Sequence, residues 1–295
     1  MEKIINSTEY TDRSLKKKIY ELKERYDFLE TFSVGQSVMG REIAGIKIGS
    51  GEYRLFTAGF SGTERLGTNL LLTFAEEVCA CLNNNLPFAG INLNKALKGK
   101  GIIIVPRVNP DGTEISLCGP SAAGKLAKEI RRISKNDTEA WRANLRGVEI
   151  NRNFSPSWES LKAEERKNGI HRPSPYGYGG AFPQSEPETA ALMGLCDKFE
   201  FKYSISLLGG NSVIGWRYKE KTPQNSEKMA SLLASYSGFD FSDRKNELQS
   251  GSFKDYFINA FNRPAFNVYI KDQGVHTCQK IYEDLRKMLL VSILL

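Results

Sequence analysis

Residues 58–69 (Ala-Gly-Phe-Ser-Gly-Thr-Glu-Arg-Leu-Gly-Thr-Asn) combine one carboxylate with several small residues. They lie between an apolar run at residues 53–60, which is typical of a strand, and a helical pattern at residues 67–81. Open α/β sheets place their binding sites at the C-terminal ends of strands. Glu64 therefore lies where a site is expected, and its carboxylate is suited to bind a metal ion or to pair with an arginine.

Residues 141–154 (Trp-Arg-Ala-Asn-Leu-Arg-Gly-Val-Glu-Ile-Asn-Arg-Asn-Phe) form a second stretch with polar groups suited to chemistry. It contains Arg142, Asn151 and Arg152. A guanidinium group can bind a carboxylate through two charge-assisted hydrogen bonds in one plane. Arg152 is thus suited to bind an anionic ligand, or else it forms a buried ion pair that holds its own loop.

The elements that position these stretches alternate between strands and helices. This alternation predicts an α/β fold with a doubly wound, mixed β-sheet and helices on both faces. The run at residues 101–106 is continuously apolar, which is typical of a strand buried on both faces of a parallel sheet. The predicted strands are residues 42–48, 53–60, 101–106, 201–208, 212–218 and 265–270; the predicted helices are residues 11–26, 67–81, 226–236, 252–261 and 277–295.

Two local signals refine this prediction. Residues 109–112 (Asn-Pro-Asp-Gly) are typical of a turn. Ser185 is the predicted N-cap of a further helix, with Glu188 at the capping-box position three residues later.

The composition limits the function classes. The chain has 295 residues, 40% of them hydrophobic, so we expect a single domain over residues 1–295, with residues 1–30 as a helical lead-in. The net charge of +7 fits a protein with a basic surface, and nucleic acid is not expected as a partner. The five cysteines have no paired metal-ligand spacing and indicate reduced thiols. Residues 1–20 lack an apolar signal core and residues 288–295 are too few to cross a bilayer, so we expect a cytoplasmic protein without a membrane segment.

The motifs resemble those of the zinc carboxypeptidases. The stretch around Glu64 resembles the family's first metal-binding motif, in which a His and a Glu lie three residues apart, and residues 109–112 resemble another family motif. Residues 42–48 and 53–60 resemble the opening hairpin of that fold. The resemblance is strongest at residues 141–154. There it points to the bacterial branch that cleaves γ-D-glutamyl-diaminopimelate bonds in peptidoglycan stem peptides.

The resemblance also implies positions for a catalytic zinc ion, which usually takes three protein ligands and a water. Ser61 stands at the position of the first His, Leu208 at that of the second His, and Tyr269 at that of the catalytic Glu. Glu64 is the one retained ligand. We therefore expect no zinc cofactor, although the family uses one.

For the remaining polar residues, the resemblance implies roles in binding. Arg142 matches the arginine that stabilises the developing oxyanion. Asn151 and Arg152 match the pair that binds the terminal carboxylate of the substrate. Without a metal, Glu64 is expected to pair with Arg142 or with another arginine.

The leading hypothesis is a catalytically impaired or inactive relative of the γ-D-glutamyl-diaminopimelate peptidases. Such a protein would keep a cleft for a peptide or stem-peptide carboxylate. One alternative is an active zinc metallopeptidase with rearranged ligands, in which His171 or His276 joins Glu64. Another is a structural or assembly protein whose cleft is vestigial.

Overall fold

The computed structural model describes residues 10–241, 251–271 and 275–295, and for residues 275–279 it describes the backbone alone. Within these residues, seven strands form the main sheet and two form a small hairpin. The strands are β1 Glu30–Gln36, β2 Glu42–Gly49, β3 Glu52–Ala58, β4 Pro87–Phe88, β5 Ile91–Asn92, β6 Lys100–Val105, β7 Phe201–Gly209, β8 Val213–Gly215 and β9 Ala265–Ile270. The order in the main sheet is β1-β2-β6-β3-β7-β9-β8.

The centre of the sheet is parallel. Strand β3 pairs with β6 and β7, and β7 pairs with β9, all in parallel orientation. The outer strands β1, β2 and β8 run antiparallel to their neighbours. The C-terminal ends of β3, β7 and β9 therefore meet at one edge of the sheet, and the expected mixed α/β sheet is confirmed.

The expected opening hairpin of residues 42–48 and 53–60 is wrong. Strand β6 lies between β2 and β3 and pairs with both. The other neighbour of β2, also antiparallel, is β1, a strand that the sequence pattern did not reveal. Its apolar residues Phe32 and Val34 alternate with polar ones, but two apolar positions are too few to mark a strand by pattern alone.

Helices cover both faces of the sheet. They are α1 Asp12–Arg25, α2 Arg65–Asn83, α3 Leu93–Ala96, α4 Pro110–Cys118, α5 Ala127–Ser134, α6 Trp158–Lys167, α7 Pro187–Lys198, α8 Ser226–Ser237, α9 Phe253–Phe261 and α10 Val275–Leu294. Short 3₁₀ turns span Pro120–Leu126 and Ile150–Arg152. In the described parts of the chain, no helix is both long enough and apolar enough to cross a membrane.

Two local predictions are corrected. Residues 109–112 begin α4 instead of forming a turn, because the Asn109 side chain accepts a hydrogen bond from the Gly112 N–H and caps the helix. Helix α7 has Glu186 as its N-cap residue, not Ser185. The Glu188 carboxylate instead accepts hydrogen bonds from Val38 N–H and Asn144 Nδ2.

Alternate residues of the central strands enter two apolar layers. One layer packs against α1, α2, α8 and α10, and it contains Phe56, Ile104 and Leu207. The opposite layer packs against α7 and α9, and it contains Leu208 and Tyr269 at the C-terminal ends of their strands. Leu208 and Tyr269 are paired across the neighbouring strands β7 and β9, so their side chains lie on the same face of the sheet.

Candidate functional site

Glu64 lies just before α2, at the edge where the central parallel strands end. Its carboxylate accepts two backbone hydrogen bonds. Oε2 accepts from Ser61 N–H at 3.1 Å, and Oε1 accepts from Gly209 N–H at 2.9 Å. The carboxylate therefore joins the loop before α2 to the end of β7.

Ser61, Leu208 and Tyr269 gather around this carboxylate. Together with Glu64 they line a cavity of about 10 Å³, whose wall also includes Arg142, Glu149 and Asn151. Ser61 and Leu208 are each 3% exposed and Tyr269 is 9% exposed. A single water needs roughly 10–15 Å³, so the space among these side chains is at the lower limit for one water.

Two glycines, Gly59 and Gly62, make this close packing possible. Gly59 adopts a φ of +65°, which a residue with a side chain rarely takes. A Cβ on Gly62 would lie 2.4 Å from the carbonyl oxygens of Gly112 and Trp141. The small residues of the stretch are therefore required by the backbone approach around the cavity.

Burial determines the protonation of the central groups. It raises the pKa of Glu64 from its ordinary value of 4.5 to about 7, although the hydrogen bonds from Gly209 and Ser61 and the charge of Arg142 act in the opposite direction. Burial also raises the pKa of Tyr269 to about 12. The Tyr269 hydroxyl accepts a hydrogen bond from Asn267 Nδ2 at 3.3 Å and stays protonated at neutral pH.

Arg142 does not form the expected ion pair with Glu64. Its Nη2 donates to Glu149 Oε1 at 2.5 Å. The other oxygen of Glu149 accepts from Gly177 N–H at 2.7 Å, which fixes the carboxylate. Arg142 is 41% exposed along its side chain, whereas Glu149 is 6% exposed, so the guanidinium reaches from solvent to a buried partner.

A larger cleft of about 610 Å³ opens beside the small cavity. Arg142 and Glu149 line both spaces, and Arg152 lines the larger one. Arg152 Nη2 donates to Glu164 Oε1 at 3.0 Å. The larger cleft also contains Lys135, so three cationic side chains reach it.

Asn151 lines the small cavity rather than the larger cleft. Its Oδ1 accepts a hydrogen bond from Phe253 N–H at 3.0 Å, which ties the loop to the start of α9. The expected pair of Asn151 and Arg152 is thus adjacent in sequence, but the two side chains face different spaces.

Sequence reasoning did not single out Glu149 and Glu164. Glu149 is the one acidic residue within residues 141–154. Its proximity in sequence to the arginines of that stretch is a signal that could have identified it as an ion-pair partner. Glu164 belongs to α6, a helix that the sequence analysis omitted. Its placement depends on long-range packing, and no local signal identifies its partner.

The histidines do not complete the site in the described residues. His171 is exposed and lines neither the cavity nor the larger cleft. The side chain of His276 lies outside the described residues. An arrangement with rearranged ligands therefore gains no support from His171.

The donors at this centre do not fit a catalytic zinc ion. Among the residues whose side chains are described, no group of three or more His, Cys, Asp or Glu is placed to hold a metal ion. The carboxylates that line the cavity are Glu64 and Glu149, and each already accepts hydrogen bonds from the chain itself. A catalytic zinc commonly takes two His and one carboxylate, and leucine has no donor atom.

The sequence matches a known family. Residues 15–288 match the family model described as zinc carboxypeptidase. The chain belongs to the zinc carboxypeptidase family. Its fold is that of this family, as the resemblance implied.

Similar proteins include a bacterial peptidase. The chain is 28% identical over 270 residues to the γ-D-glutamyl-L-diamino acid endopeptidase 1 of Lysinibacillus sphaericus, a match that covers 90% of this chain and 67% of that protein. Carboxypeptidase A from Helicoverpa armigera has the same fold, with a TM-score of 0.73 at 16% identity over 97% of this chain and 75% of that one. The murein-tripeptide amidase MpaA from Escherichia coli O157 matches with a TM-score of 0.55 at 22% identity, covering 88% of this chain and 91% of that one.

Proposed function

We propose that this chain is a non-catalytic member of the zinc carboxypeptidase family that binds peptides ending in a carboxylate. Peptidoglycan stem peptides are the proposed ligand class, because the similar proteins include a γ-D-glutamyl-L-diamino acid endopeptidase and a murein-tripeptide amidase. The four described cysteines outside α10 are free, which fits a reducing cytoplasm where such peptides would arrive as fragments.

One observation carries the non-catalytic part of the proposal. In this proposal Leu208 and Tyr269 stand where the family has a metal ligand and the general base, and both line the small cavity beside Glu64. Metal-assisted hydrolysis needs a bound, activated water and an open coordination position. Among the described residues, neither this cavity of about 10 Å³ nor the pocket of about 190 Å³ that Glu64 and Leu208 also line has a histidine in its wall, so neither supplies the usual set of zinc ligands.

The larger cleft supports the binding part of the proposal. It has about 610 Å³ of space, and its wall contains three cationic residues, Lys135, Arg142 and Arg152, and three acidic ones, Asp137, Glu149 and Glu164. Arg152 is 9% exposed along its side chain, so its position is fixed by the surrounding protein. A rigid guanidinium beside open space is well suited to receive the carboxylate of a peptide.

The direct test combines metal analysis, hydrolysis and binding. Purified protein, supplied with zinc, is analysed by elemental mass spectrometry and incubated with L-alanyl-γ-D-glutamyl-diaminopimelate. We expect less than stoichiometric zinc, no hydrolysis, and calorimetric binding of the intact tripeptide. Stoichiometric zinc together with turnover would overturn the non-catalytic assignment. Failure to bind the tripeptide would overturn stem peptides as the proposed ligand class.

A second candidate function is an assembly role in which the cleft binds nothing. The observation that favours it is the pairing of both arginines with carboxylates of the chain, Arg142 with Glu149 and Arg152 with Glu164. In that case neither the unmodified chain nor Arg152→Ala would bind the tripeptide, and the substitution would lower the thermal stability. A loss of binding in Arg152→Ala at unchanged fold would favour the binding function instead.

A further inference from the structure

Glu164 reaches into the larger cleft from α6 and contacts Arg152. The pair is joined by one hydrogen bond, from Nη2 to Oε1, at 3.0 Å. The two partners differ in exposure, because the Arg152 side chain is 9% exposed and the Glu164 side chain 42%. The arginine is fixed in the protein, whereas the carboxylate comes from the solvent side.

The contact with Glu164 does not use every hydrogen-bond donor of the Arg152 guanidinium. Within the described residues, Arg152 Nε is buried and has no hydrogen-bond partner. A guanidinium can bind a carboxylate through two parallel hydrogen bonds, and here a single one is formed. A ligand carboxylate that takes the place of Glu164 and reaches the covered Nε would therefore gain a bond that Glu164 does not provide.

Helix α6 holds Glu164 in this position. Lys162 Nζ lies 4.6 Å from the ring centroids of both Trp158 and Tyr178. It also donates to Glu165 Oε2 at 2.7 Å and to the Gly180 carbonyl. These contacts fix the middle of α6 to the loop after it, so Glu164 stays over the cleft.

We propose that Glu164 acts as an internal competitor for Arg152 and thereby sets the affinity and charge selectivity of the cleft. This inference rests on the proposed binding of a peptide carboxylate. A ligand carboxylate must displace Glu164, and the released glutamate then faces an anionic ligand at short range. Glu164 therefore weakens the binding of acids and has little effect on uncharged analogues.

The test uses Glu164→Gln, which keeps the side-chain length and an oxygen acceptor but removes the charge. Glu159→Gln is the matched control, because Glu159 lies on the same helix, is exposed, and forms no ion pair within the residues that the structure describes. Binding of L-alanyl-γ-D-glutamyl-diaminopimelate, as the acid and as its carboxyl amide, is measured by calorimetry for both variants and for the unmodified chain.

We expect Glu164→Gln to bind the acid about five-fold more tightly, since a partly exposed ion pair contributes up to about 1 kcal/mol. Affinity for the amide should not change, and Glu159→Gln should match the unmodified chain for both probes. If the unmodified chain binds the acid and Glu164→Gln binds it equally well, the competitor role is wrong and the proposed function stands. If no variant binds the acid, the proposed function itself is wrong.

Discussion

Leu208 and Tyr269 lie opposite each other on the neighbouring parallel strands β7 and β9, at the point where both strands end. They belong to the apolar layer that also contains Phe253 and Phe257 of α9. Both residues, which the resemblance to the family matches to a metal ligand and the general base, therefore belong to the core in this chain. Their substitution should have consequences for stability rather than for chemistry.

Leu208→Ala is expected to lower the free energy of unfolding by about 2–5 kcal/mol, because it leaves a cavity in a packed layer. Leu126→Ala is the control, since Leu126 is 42% exposed, and it should change the free energy by less than about 0.5 kcal/mol. Chemical denaturation followed by circular dichroism measures both. Equal effects of the two substitutions would contradict the core assignment of Leu208.

Restoring the family's donors should create a metal site. The triple substitution Ser61→His, Leu208→His and Tyr269→Glu adds two imidazoles and one carboxylate beside Glu64. We expect this variant to gain stoichiometric zinc and to show a zinc-dependent rise in melting temperature, because metal binding to the folded state stabilises it.

The control for the restored site is the variant with Gln in place of His at both positions. Elemental mass spectrometry and thermal melts with and without zinc compare the proteins. Zinc bound equally by the unmodified chain and by the Gln control would show that the ligands lie elsewhere.

The protonation of Glu64 should make stability depend on pH. Its pKa is about 7 in the folded state against an ordinary 4.5, so between these values the folded state binds more protons than the unfolded state. The stability that Glu64 contributes is therefore complete below pH 4.5 and is lost as the pH rises toward 7. The shift sets an upper limit of about 3 kcal/mol for this loss.

Glu64→Gln should remove this part of the pH dependence. Since Glu188 is buried and its pKa is also raised to about 7, the difference between the two proteins, not the absolute curve, isolates Glu64. Urea unfolding at a series of pH values from 4.5 to 8 measures it. Parallel stability curves would contradict the raised pKa of Glu64.

Lys162→Met should loosen α6. It removes two cation–π contacts and two hydrogen bonds, so we expect a loss of about 1–2 kcal/mol and faster amide exchange over Trp158–Lys167. Lys167→Met is the control, because Lys167 is exposed on the same helix. Hydrogen–deuterium exchange with mass spectrometry distinguishes the two, and equal exchange in both variants would contradict the anchoring role of Lys162.

The sequence is sufficient to predict the elements whose own apolar pattern marks them as a strand or a helix. The buried run of β6 and the apolar pattern of α2 were predicted within two residues of their ends. The two stretches that the sequence analysis selected, residues 58–69 and 141–154, both contribute to the wall of the cavity or the cleft.

The contacts of the site could not be predicted from local pattern. The choice of Glu149 over Glu64 as the partner of Arg142 depends on how the loop carrying Gly177 folds back and fixes that carboxylate. The pairing of Glu164 with Arg152 depends on the docking of α6. Strand order failed at β2 and β3 for the same reason, since the insertion of β6 between them is set by non-local pairing.

The two amide contacts of Glu64 give this position a purpose that needs no metal. Its carboxylate joins Ser61, in the loop before α2, to Gly209, the residue that ends β7, so its removal would leave the Ser61 and Gly209 amides without this acceptor. The backbone around the carboxylate is thus a sufficient reason for a glutamate at this position. Its presence alone is not a sign of metal binding or of hydrolysis.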